Sequence, residues 1–432
     1  MRIFLLPVLC LLSLNLKAQD EKTINWINNN AIKIEDADPD KKPSIFHNNI
    51  PLKFENAKIF GFGETSHHGK EFFDIKAKFF KYLVNTQNVK VFIIEDSYTS
   101  ESGINEWISG GDGNVQTIAE NFSIIPWKTQ EVVNLLEWMR NYNLSQPIEE
   151  QIRFYGMDIQ YVKGINQEIR DLVDHYNIPL NEELLLELDK SAEKKVEYGK
   201  STDWADIQIP KLKEIERILI AFQKDNQKEN ETDYNSAIRA LNYLKKYTYY
   251  VQNHYRQDRD LKMFENVKWI VENMSKNGKA FIWAHNEHIN NKGFGNYNRR
   301  NIYNLGRHLK EHYKNDYYSI GFDFGQGNLG GYVFEKGQAT KGKIYQLSEP
   351  FPKTYAKTLI EAKEDIYFID IQTALNNDSI NFFDKKNKQI MLGGPGYDPQ
   401  KVTLYKKKFS EMYDNIIFIK SITVPDYNLT GK

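Results

Sequence analysis

Hydrophobic residues along this chain collect in two kinds of run. The first kind is short, dense and rich in β-branched and aromatic side chains. It comprises AKIFGFG (57–63), VKVFIIED (89–96), QIRFYGMD (151–158), KAFIWAHN (279–286), YYSIGFDF (317–324), DIYFID (365–370) and NIIFIK (415–420). Runs of this length that are apolar almost throughout are expected of strands buried on both faces. The second kind spaces its apolar residues by three and four, as in FFDIKAKFFKYLVN and TQEVVNLLEWMRNYN. That period predicts helices with one face on a core. Thr129 stands where the second would begin, with Glu131 close behind it, a plausible capping arrangement. Strand followed by helix, repeated, predicts an α/β fold of three layers, with a mostly parallel central sheet covered by helices on both faces.

From about Val162 to Asn277 the rhythm changes. NEELLLELDKSAEKKVEYGK, IPKLKEIERILIAFQKDNQ and NSAIRALNYLKKYTYYVQNHY are amphipathic at helical spacing, and DNQKENETD (225–233) reads as a polar loop. We expect a helical insertion at 162–277, dividing an α/β domain into a first part, 20–161, and a second, 278–432.

The first residues follow a different logic. Met1 and Arg2 precede the apolar run IFLLPVLCLLSLNL, and KAQD follows it. The run is short for a membrane span and has the form of a secretory leader, 1–19, cut near Ala18 to Asp20. The predicted location is therefore periplasmic or secreted, without stable membrane insertion after cleavage. Val8 and Leu9 precede Cys10 where a lipid-anchor signal would place small residues. Cys10 is the only cysteine, so the processed chain would hold no disulfide, thiolate nucleophile or Cys-ligated zinc. Composition adds little: 432 residues, 41% hydrophobic and 27% charged, describe an ordinary globular protein with material for a large core. A net charge of -1 supplies no electrostatic reason to expect nucleic acid as a partner. Oligomeric state is left open.

Open α/β sheets bind ligands beyond the carboxyl ends of their strands. The first run is followed by Glu64, His67 and His68. The second ends in Glu95 and Asp96, and the third in Asp158 with Gln160 after it. The fourth leads into His285, Asn286, Glu287 and His288. Singly, each has a bland explanation: an acid after a strand commonly caps a helix, and a lone histidine is more often a structural hydrogen-bonding residue. Recurrence at four strand ends argues for a shared site, as does the placing of four of the 9 histidines in two of these turns.

The residue types limit the chemistry. The chain contains no Gly-x-Ser-x-Gly elbow and no glycine-rich phosphate loop. Histidine with a carboxylate remains, and an imidazole oriented by a carboxylate can take a proton from water. A second imidazole opposite could stabilise an oxyanion or protonate a leaving alkoxide. That combination points to water-mediated hydrolysis without a covalent intermediate. Two rivals use the same residues. One is a metal-dependent hydrolase acting on another ester or an envelope-related substrate, with His285 and His288 at ligand spacing. The other is a non-enzymatic haem- or iron-binding protein, although haem needs only one or two axial ligands.

GETSHHGKEFF (63–73), IIED (93–96), WKTQEVVNLLEWMRNYN (127–143), RFYGMDIQ (153–160), RDLKMFEN (259–266) and AHNEHI (284–289), in this order, resemble the erythromycin esterase family. The resemblance spans most of the chain beyond the leader. It implies a central α/β sheet with a helical subdomain over the cleft, and metal-free opening of a macrolide lactone or another small ester. It places the water-activating histidine of GE-x-x-H on His67 and that motif's glutamate on Glu64. The acid ending the next strand falls on Glu95, and the histidines of HN-x-H fall on His285 and His288. We therefore expect His67 as general base, held by Glu64 or Glu95, with His285 across the cleft and His288 supporting. Lys76, Asp158 and Arg259 are expected on the substrate side. Lys76 departs from the arginine that family esterases carry there, keeping the charge and losing the planar fork.

Overall fold

The computed structural model describes residues 20–41, 50–197, 202–225, 231–253, 256–297, 300–335, 338–377, 380–392 and 404–429. The expected leader, 1–19, lies outside the described residues. The chain folds as two compact units. The first comprises residues 1–92, 129–138 and 275–432, and the second comprises 93–128 and 139–274.

The strands in chain order are β1 (Ile32–Lys33), β2 (Ile59–Phe62), β3 (Val91–Ser97), β4 (Arg153–Asp158), β5 (Ala280–Trp283), β6 (Gly295–Tyr297) and β7 (Arg300–Ile302). They continue with β8 (Tyr317–Glu335), β9 (Gln338–Leu347), β10 (Ile366–Asp370), β11 (Asn387–Ile390), β12 (Leu404–Lys407) and β13 (Asn415–Ile422). All seven runs expected as strands are strands.

In the first unit the sheet order is β1-β10-β13-β8-β2-β5, with β9 paired to β8. The centre is parallel: β13 with β8, β8 with β2, and β2 with β5. Antiparallel pairing occurs at the β1–β10–β13 edge and in the β8–β9 hairpin of this sheet, and in two separate two-stranded sheets, β6–β7 and β11–β12. Helix α1 (Lys70–Gln87) lies on the sheet. Its Phe72 meets Phe322 and Phe324, and its Phe79 meets Phe62 and Phe368. Each such ring, fully buried, contributes about 1.5–3 kcal/mol. The helix also buries three lysines, so its polar positions need partners within the fold. Lys78 donates to the Asp36 carbonyl and carboxylate, and Lys81 to the Asp40 carboxylate. Lys76 belongs to the site below. Helix α2 (Gln130–Leu144) starts at the expected cap, where Val132 N donates to Thr129 Oγ1 at 3.4 Å.

The second unit holds the rest of β3 from Ile93, with β4 beside it. It also holds five helices from the stretch read as helical: α3 (Ile165–Tyr176), α4 (Glu182–Glu193), α5 (Trp204–Asp225), α6 (Glu231–Gln252) and α7 (Arg256–Met274). Its core joins Ile159, Val162, Ile165 and Ile169 to Leu212, Ile215, Leu241 and Leu244. Arg239 of α6 donates through both terminal nitrogens to Glu101, within a cage of Tyr98, Tyr155, Tyr243 and Trp269 rings. Glu101 in turn accepts from Gly156 N at 2.8 Å. The helices thus grip the end of β4 by main-chain and charged contacts together.

One buried acid in the first unit sets a pH dependence. Asp323 of β8 accepts from Phe324 N, and its Oδ2 meets no hydrogen-bond donor among the described residues. Burial pushes its carboxyl up to about 8. Between about pH 4 and 8 the folded state therefore keeps a proton that the unfolded state releases, and stability falls as pH rises. Asp323→Asn retains the acceptor and removes the titration. It is expected to raise unfolding free energy at pH 7 by about 2–4 kcal/mol, with the gain shrinking toward pH 4. Denaturant unfolding of both proteins at pH 4.5 and 7.5 checks this; equal gains at the two pH values would refute it.

Candidate active site

β2 and β5 are neighbours in parallel register, with Phe62 opposite Trp283. Their carboxyl ends therefore lie side by side, and the residues that follow each strand meet. Asn286 closes the seam. Its N donates to the Glu64 carbonyl at 2.9 Å, and its side chain exchanges hydrogen bonds with Phe322 N and O. This close approach explains the glycine before Glu64: a Cβ on Gly63 would sit 2.0 Å from Asn286 Oδ1.

Glu64 is wholly buried. Its Oε1 lies 2.8 Å from His67 Nδ1, and its Oε2 pairs with Lys76 Nζ. Lys76 is itself wholly buried, with its ammonium 4.0 Å from the Trp283 ring centroid. Expected on the substrate side, Lys76 instead stands beneath Glu64 and balances its charge. A carboxylate held ionised in this way accepts the Nδ1 hydrogen of His67 and leaves Nε2 as the basic nitrogen. Glu64, one of the two carboxylates expected to hold His67, is thus hydrogen-bonded to it.

The His285 ring stands 5.1 Å from that of His67, centroid to centroid, at 62°. His285 caps the short helix α8 (Asn286–Ile289), accepting Glu287 N on Nδ1 at 3.2 Å. A nitrogen that accepts a main-chain N–H is bare, so the neutral ring carries its hydrogen on Nε2. The two neutral rings thus differ at Nε2, which is bare on His67 and carries the hydrogen on His285. His288 is buried in α8 and packs edge-on to Phe294.

His68 is also buried, and its Nδ1 lies 2.6 Å from the Tyr427 hydroxyl. Burial, and then the charge of neighbouring His67, push its imidazole down to about 3. Two further contacts had no sequence signal. Lys407 lies 3.7 Å from Glu287 within a Lys406–Lys408 run that reads as a solvated face. Tyr427 sits in a C-terminal segment without periodicity.

The second unit gathers Glu95, Asp158 and Arg259. Arg259 Nε and Nη2 donate to the two Asp158 oxygens at 2.9 and 2.7 Å, and Nη2 also reaches Glu95 Oε1 at 3.0 Å. Burial opposes the guanidinium charge, but Asp158 and Glu95 hold its pKa well above the usual value. Asn266 of α7 donates to the Met157 carbonyl at 2.8 Å, so α7 fixes the end of β4 through its main chain as well as through Asp158. Asp96, next to Glu95, accepts from Ser97 N and Ser123 N, and its burial pushes it up to about 7. Among the described residues, no three His, Cys, Asp or Glu side chains converge as a metal-ligand set, and no helix is long and apolar enough to cross a membrane.

Comparison with known proteins agrees with this architecture. The family profile for erythromycin esterase matches residues 84–422. It begins within α1, so Glu64, His67 and Lys76 precede the matched segment. The chain is 22% identical to erythromycin esterase type II of Escherichia coli over 326 residues, 68% of this chain and 75% of that one. Among solved structures, a succinoglycan biosynthesis protein superposes with a TM-score of 0.78 at 22% identity, covering 95% of this chain and 99% of the other. The erythromycin esterase EreC, a mutant in its open conformation, gives a TM-score of 0.66 at 15% identity, covering 92% and 98%.

Proposed function

The chain belongs to the erythromycin esterase family, and from that premise we propose that it is an exported hydrolase of carboxylic esters that opens a macrolide-type lactone with histidine-activated water. Family membership supports a hydrolase. The ester, the export and the catalytic roles are our own reading. The observation that carries it is the Lys76–Glu64–His67 chain facing His285.

In this reading Glu64 holds Nδ1–H, and His67 Nε2 takes a proton from water as the water attacks the ester carbonyl. The oxyanion that forms is met by the Nε2–H of His285. Collapse breaks the bond between the acyl carbon and the ring oxygen. The proton on His67 then passes to the leaving alkoxide, giving a hydroxy acid heavier than the lactone by one water. The substrate is a small molecule, and no step draws on a cofactor.

The test is mass spectrometry of erythromycin incubated with purified full-length protein in the presence of a chelator. A product heavier by one water, made by wild type and at most in trace by His67→Ala, is the expected result. Turnover that chelation abolishes would replace this mechanism with a metal-dependent one. An absence of turnover would withdraw the macrolide as substrate.

A further inference from the structure

The turn from Gly63 to Lys70, which carries His67, is held from several directions. Asn286 N donates to the Glu64 carbonyl, Leu392 N to the Thr65 carbonyl at 2.6 Å, and Gly330 N to the His68 carbonyl at 3.4 Å. The remaining ties come from the segment after β13. Lys70 N donates to the Thr423 carbonyl at 2.8 Å. Thr423 N and Oγ1 donate to the two Glu71 carboxylate oxygens at 2.6 and 2.7 Å. Gln130 N donates to the Asp426 carbonyl, and Asp426 N to the Glu131 carboxylate at 3.2 Å. This strapping carries Tyr427 to His68, on the residue beside the proposed base.

The Tyr427 hydroxyl and His68 Nδ1 lie 2.6 Å apart, a hydrogen bond in which a phenol can either donate or accept. On its other side His68 is closed in by β8, where a Cβ on Gly330 would stand 3.1 Å from the Cβ of His68.

We propose that Tyr427 is a positioning residue of the hydrolytic centre: its hydroxyl fixes His68 as the neutral tautomer with hydrogen on Nε2 and so holds the turn that aims His67. The catalytic meaning of this assignment rests on the function proposed above; the tautomer does not. Burial and the neighbouring His67 charge, which push the His68 imidazole down, agree with a neutral ring. A ring that stayed uncharged would also spare His67 a like charge while it holds the proton taken from water.

Tyr427→Phe removes one oxygen and leaves the ring in place. Two measurements on the full-length protein decide the proposal. In nitrogen-resolved NMR of the imidazoles, with His68 signals assigned by their loss in His68→Gln, wild type is expected to show a bare Nδ1 and a protonated Nε2. Tyr427→Phe is expected to mix the tautomers. On an ester that wild type hydrolyses, Tyr427→Phe should lower kcat about 10-fold with KM changed less than about twofold, as for a small misplacement of the base. Hydrogen on Nδ1 in wild type, unchanged tautomers in the variant, or an unchanged kcat would each overturn it. Should wild type hydrolyse none of the esters tried, the functional reading fails, and the tautomer measurement alone decides whether Tyr427 sets His68.

Discussion

His67→Ala is expected to lower ester hydrolysis by about 10²–10⁴-fold, the usual worth of a positioned general base. The loss should appear in kcat, because removing the base withdraws help that the substrate receives only as water attacks. His285→Ala should cost about 10²–10³-fold, again mainly in kcat, by removing the donor proposed to meet the oxyanion. Together the two substitutions should cost less than the product of the single losses, since the rings stand 5.1 Å apart and in the proposed mechanism act on one reacting group. Steady-state kinetics of the two single variants and the double variant measure this directly. A His67→Ala enzyme within threefold of wild type would remove His67 from the mechanism and leave Glu64 and Lys76 as a structural pair.

Arg259→Met is expected to destabilise the second unit by about 3–5 kcal/mol, because it strands Asp158 and Glu95 as buried carboxylates without their cation. Arg259→Lys should recover only part of the loss, since an ammonium cannot donate in parallel to both Asp158 oxygens and also reach Glu95. Denaturant unfolding at pH 7 of the two variants beside wild type reads both effects. A loss under about 1 kcal/mol at pH 7 would show that these acids are not buried charges in solution.

Much of the fold is legible along the chain because its signals are local. Seven apolar runs became strands, since a strand buried on both faces must be apolar wherever it lies. The five helices α3 to α7 follow from charged, amphipathic spacing in 162–277. β10 shows the limit. IYFID is as apolar as any central strand, yet it runs antiparallel to β13, and composition does not encode direction. The division into two units differs in the same way from the one read along the chain. The unit boundary cuts β3 after Phe92 and α2 after Trp138, inside elements that local patterns treat as whole.

The candidate site divides along the same line. Sequence by itself determined that ionisable residues follow four strands, and it singled out Glu64, His67 and His285 by their motifs. The His285 tautomer was nearly readable too, since its cap on Glu287 N spans two residues. Tertiary structure alone decided that Glu64 reaches His67. It also turned Lys76 inward beneath Glu64, tied Glu95 and Asp158 to Arg259, and brought Tyr427 to His68 across 359 positions. The reason is physical. Periodicity and capping act over a few residues and leave a trace in the order of side chains. The partner of a buried charge is set by which side chains the packing turns toward one another, and a buried lysine is written with the same letter as a solvated one.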